Sequence, residues 1–164
     1  MSNPGPFSFI LETPAAPADV AHRHFATKLA LETDPSDVHT DLARQKSGFV
    51  VADARNASAY ADQHVPGAIS LPARTIDEKA VQELRGKVVV VYCWAASCNA
   101  AAKAAVRLSA LGIQVKEMIG GLDAWVREGY PVEGELPAGI GFDEYLRWHH
   151  AGNPGQFRRS SANP

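Results

Sequence analysis

The stretch Lys87–Leu108, KVVVVYCWAASCNAAAKAAVRL, decides how the chain is read. Val88–Tyr92 is an apolar run without alternation, the mark of a strand covered on both faces in a parallel sheet. From Ala100 the segment AAAKAAVRLSALG reads as an amphipathic helix ended by Gly112. Cys93 stands where the strand stops, and Cys98 follows five residues later. In an open α/β sheet, ligands bind beyond the carboxyl ends of the strands. The free N–H groups of a following helix favour a thiolate or another anion placed above them. Cys93 is therefore the candidate nucleophile, weighed against the bland alternative that a cysteine beside a buried strand only fills space.

Working outward, the same logic repeats. Upstream, Asp34 or Ser36 caps a helix SDVHTDLARQKSG ended by Gly48, FVVADAR is a buried strand, and NASAYADQHVPGA is a short helix leading into a turn at Pro66-Gly67. AISLP is a second short strand, and TIDEKAVQELRGK has the acidic start and basic end that suit a helix dipole. Downstream, IQVKEMIGG supplies a strand ending in paired glycines and LDAWVREGYPV a helix stopped by Gly129 and Pro131. Strands alternating with helices predict the α/β class, a parallel sheet with helices on both faces.

The expected organisation is one domain overall. It comprises a Pro/Gly-rich lead-in over 1–14, helices over 15–48, a core over 49–134, and a C-terminal helix and loosely held tail over 135–164. With 164 residues, 46% hydrophobic, the chain can bury a real core. A net charge of -2 gives no broad attraction to nucleic acid or acidic membranes. No secretory leader and no long apolar span are evident, so a soluble cytoplasmic protein is expected. Two cysteines make neither a disulfide framework nor a zinc site, and His22 and His24, two apart on a helix, face different ways. No metal is expected.

Three segments together resemble the rhodanese family of single-domain sulfurtransferases: FVVADARNASAYADQHVPGAISLP, the strand VVVVYC, and VKEMIGGLDAWVREGYPV. The resemblance spans about Phe49 to Val132. It implies a rhodanese-like fold and a persulfide cycle, in which the Cys93 thiolate takes a sulfane sulfur from thiosulfate or a persulfide donor and passes it to a thiophilic acceptor. A protein acceptor is compatible with that cycle, and neither metal nor organic cofactor is needed. The loop Trp94, Ala95, Ala96, Ser97, Cys98 and Asn99 would cradle the anionic sulfur with its amides. Asp53 and Arg55 would organise the rim, where Arg74 is a further candidate cation, and His64 is expected to hold backbone rather than move protons.

The loop departs from the family pattern in carrying no charge and no glycine, which weakens the binding of a dianion such as thiosulfate. Cys93 to Gly112 also runs longer than the family's commonest spacing. Phosphatases and arsenate reductases on this fold close a longer loop with an arginine, but positions 98–100 are Cys, Asn and Ala. Cys98 either resolves an oxidised or persulfidated Cys93 as a transient disulfide or is a small residue near the helix start. The alternative function is a non-catalytic rhodanese-fold module that binds partners or senses oxidants through Cys93 and Cys98.

Overall fold

The computed structural model describes residues 7–136, 143–145 and 147. The expectations for the tail, with His149 and His150, lie outside the described residues. Two compact units divide the chain, Met1–Leu31 and Glu32–Pro164. In the first, α1 spans Ala18–Leu31 and buries none of its residues.

The second unit is built on five parallel strands, β1 (Glu32–Thr33), β2 (Phe49–Asp53), β3 (Ile69–Ser70), β4 (Val88–Tyr92) and β5 (Gln114–Met118), in the order β1-β5-β4-β2-β3. The apolar run Val88–Tyr92 is the central strand. Its side chains alternate between two cores: Val89, Val91 and Cys93 pack with Ala101, Ala104 and Leu108, while Val90 and Tyr92 pack with Val38, Leu122 and Trp125. A run without polar alternation is what such double coverage requires.

Helices α2 (Pro35–Ala43), α3 (Ala57–Asp62) and α4 (Ala100–Ala110) join strands, and α5 (Gly121–Arg127) follows β5. Asp34 caps α2, its side chain accepting from the Asp37 amide at 2.8 Å, with Pro35 in the first turn. The helix ends earlier than expected: Arg44 is the C-cap, Gln45 takes a positive φ of 52°, and Gly48 serves the entry to β2. Through Val38 and His39, whose ring stacks on Tyr130 at 4.1 Å, α2 belongs to the layer around Trp125.

Two expectations need correction. The helix expected over 75–87 is instead two single 3-10 turns, Ala73–Thr75 and Gln82–Leu84. The buried residues there are Ile76, Val81 and Leu84. The Asp77 side chain meanwhile takes the Ala80 amide at 2.8 Å, holding a turn. The second correction is β1, which went unforeseen because two residues carry no periodicity; only pairing with β5 defines it.

Candidate active site

Cys93 follows β4 directly, and β2 lies beside it in parallel with Asp53 opposite Tyr92. Strand ends and the α4 N-terminus thus meet at one edge of the sheet. The loop Trp94–Asn99 turns back on itself: the Cys98 amide donates to the Ala95 carbonyl at 2.9 Å. That turn brings two carbonyls over the sulfur, so the Cys93 thiol donates to Cys98 O at 3.1 Å and lies 3.8 Å from Ala95 O. Cys93 is 3% exposed, whereas Cys98 is half-buried.

Helix α4 begins at Ala100, and Asn99 at its N-cap makes no side-chain capping bond. First-turn amides are therefore available to other acceptors. Backbone N–H groups of Ala101 and Ala95 serve the Cys93 sulfur, and those of Ala100 and Trp94 serve Cys98. Of the amides from Trp94 to Asn99 expected to form a cradle, that of Cys98 is spent on the loop's own turn.

The two thiols differ in electrostatics. Burial pushes the Cys93 thiol up to about 11 against the pull of the Ala101 amide, and a hydrogen bond with Cys98 and that group's charge add to the rise. Burial also acts upward on Cys98, but the Ala100 amide, the Cys93 thiol, the Trp94 amide and the Lys103 charge together bring it below its ordinary value. Of the two thiols the buried one therefore holds its proton more tightly and the outer one ionises more readily.

Asp53 and Arg55 occupy the expected strand end but do not form an open rim. Both side chains are 0% exposed, 2.6 Å apart. The guanidinium is clamped through Nε to Oδ1 at 2.9 Å and through Nη2 to Oδ2, Ala59 O and Gln63 O. Trp94 covers it, with Cζ 4.3 Å from the ring centroid, and stacks in turn on Tyr145. The residue after the cysteine thus roofs a buried ion pair. Arg74 is exposed and lines a hollow of about 500 Å3 with Ala73, Asn99, Lys103, Val106 and Arg107. Among the described residues these three cations make no carboxylate pair. His64 Nδ1 bonds Tyr60 O at 2.7 Å, a hold on backbone.

Gly121 was missed as a site residue. The N-terminus of α5 grips the cysteine loop from below: the Leu122 amide donates to Cys93 O and the Asp123 amide to Trp94 O, each at 2.9 Å. A Cβ on Gly121 would stand 2.5 Å from Cys93 O, and its φ is 61°. The paired glycines were the available signal, since two successive left-handed positions next to a helix start mean close backbone approach.

The rhodanese-like domain profile matches residues 34–128. The chain belongs to the rhodanese-like domain family. The match starts at α2, ahead of the segments that carried the resemblance. Among solved structures, a Bacillus halodurans protein is 38% identical, covering 82% of this chain and 99% of its own, with a TM-score of 0.75. The rhodanese-like domain of an Anabaena protein is 27% identical over 66% of this chain and 83% of its own, with a TM-score of 0.60. A protein of Mycobacterium tuberculosis named as an HTH-type transcriptional regulator is 30% identical over 74% of this chain and 58% of its own length. The chain spans about half the length of the curated relatives it matches. Among the described residues, no helix of this rhodanese-like chain is long and apolar enough to cross a membrane.

Proposed function

We propose that the protein is a sulfurtransferase in which Cys93 carries the sulfur as a persulfide. The supporting observation is the Cys93 sulfur at the end of the central strand, where the backbone of Ala101 in the first turn of α4 and of Ala95 in the loop favours its anion. A persulfide anion extends past the buried thiol and gains what that thiol lacks, a charge lying nearer the uncapped helix start. Attack by the Cys93 thiolate on a donor's sulfane sulfur forms the new S–S bond and expels sulfite or a thiolate. A thiophilic acceptor then takes the outer sulfur and restores Cys93. With no cation between Trp94 and Asn99, a persulfide donor suits the loop better than thiosulfate. The exposed Arg74 and Lys103 flank the loop where an anionic donor or a protein acceptor would approach.

The test is incubation with thiosulfate and, separately, with polysulfide, followed by intact mass and cyanide-dependent thiocyanate release. One added sulfur in the protein and none in Cys93→Ser is the expected result; no adduct from either donor overturns it. A second reading, a redox-sensing or partner-binding module without turnover, draws on the uncharged loop. It predicts an adduct or oxidation without thiocyanate release.

A further inference from the structure

The feature of the loop that sulfur carriage by a single cysteine leaves unused is the second thiol. We propose that Cys98 discharges the Cys93 persulfide by closing a Cys93–Cys98 disulfide and releasing hydrosulfide, which makes the protein a persulfide reductase as well as a carrier. The inference rests on the persulfide reading of Cys93 and deepens it.

Geometry supplies the approach. The turn closed by Cys98 N to Ala95 O folds residue 98 back over residue 93, whose thiol already donates to Cys98 O at 3.1 Å. Each thiol also shifts the other, Cys98 pushing Cys93 up and Cys93 bringing Cys98 down. The outer sulfur is also the one equipped to attack, because the Ala100 and Trp94 amides and Lys103 favour its thiolate.

The direction of attack follows from the leaving groups. Attack by the Cys98 thiolate on the inner, Cys93 sulfur of the protonated persulfide forms the Cys93–Cys98 bond, breaks the bond to the terminal sulfur and expels that sulfur with its proton as hydrosulfide. Attack on the terminal sulfur would expel the Cys93 thiolate instead, a strong base in its buried position and the poorer leaving group. The electrons balance: two cysteine sulfurs are oxidised to a disulfide, and the sulfane sulfur is reduced to sulfide. A dithiol reductant, itself oxidised to a disulfide, returns the pair to the starting state.

The experiment uses the pre-reduced full chain, a short pulse of polysulfide, rapid desalting, and then intact mass against time with trapping of hydrosulfide, no acceptor being added. Wild type should gain one sulfur, lose it, and finish two hydrogens lighter while releasing about one hydrosulfide per chain. Cys98→Ser, with Cys98→Ala as a second variant and near-UV circular dichroism to verify folding, should keep the added sulfur. Cys93→Ser should release none. If wild type holds its sulfur as long as the Cys98 variants, the discharge step is overturned while sulfur carriage stands. If wild type and both Cys98 variants take up no sulfur from any donor, the carriage reading falls and the discharge step falls with it.

Discussion

Two neighbouring regions handle polar chemistry in opposite ways. At the end of β2, a full ion pair between Asp53 and Arg55 is sealed at 0% exposure, with Nε and Nη2 of Arg55 committed and its buried Nη1 left without a hydrogen-bond partner. After β4, the loop from Trp94 to Asn99 has no charged side chain, and its amides are aimed at two sulfurs. Charge in the first region fixes backbone, tying the strand end to Ala59 and Gln63 and giving Trp94 a platform. In the second, the proposed sulfur carriage would place charge on sulfur during the reaction. The strand-end pair therefore braces the backbone of Ala59 and Gln63 beneath Trp94.

The contrast breaks most sharply if each region is altered in turn. Cys93→Ser should reduce thiocyanate release to the no-protein blank while shifting the denaturation midpoint little, since one chalcogen replaces another in the same pocket. Asp53→Ala should do the reverse in kind. It strands a buried guanidinium and should cost roughly 3–5 kcal/mol in denaturant-measured stability. Sulfur uptake by the remaining folded fraction should survive, because Asp53 is not among the groups serving the sulfurs. If Asp53→Ala is as stable as wild type, the ion pair is not a brace.

A third variant joins the two regions. Gly121→Ala puts a methyl against the Cys93 carbonyl and asks a non-glycine residue to hold a φ of 61°. A loss of roughly 2–3 kcal/mol is expected from strain and overpacking together. Sulfur uptake should slow as well, because the α5 amides that pin Cys93 O and Trp94 O must shift. Stability and uptake falling together would separate this position from Asp53, where only stability should move.

How legible each region was from sequence follows from the range of its interactions. Val88–Tyr92, the caps at Asp34 and the helix at Ala100 were readable because periodicity and capping are local. The placement of Cys93 was readable because the end of a buried parallel strand is an address in itself. The 75–87 segment misled because its charges suit a helix dipole while its buried residues answer to the core. Arg55 was expected to organise the rim, and nothing in the sequence shows that Trp94 covers it. The division of proton and charge between two thiols depends on amides from Trp94 to Ala101, whose directions only the folded loop defines.

The smallest expected effect concerns that division. Burial is the main reason the Cys93 thiol is pushed up to about 11, with the hydrogen bond and charge of Cys98 adding to it. A raised value leaves the thiolate in the minority at neutral pH, so alkylation of Cys93 in wild type should keep accelerating as pH rises well above 9, the ordinary value for a cysteine. Both contributions of Cys98 act upward, and a serine hydroxyl carries no charge. Cys98→Ser should therefore shift the Cys93 alkylation profile, followed by peptide mapping, to lower pH. Burial is unchanged by that substitution, so the profile should remain above that of an ordinary cysteine. An unshifted profile would mean that the two sulfurs titrate independently, and the contrast between the sealed charges of β2 and the shared charge of the loop would lose its second half.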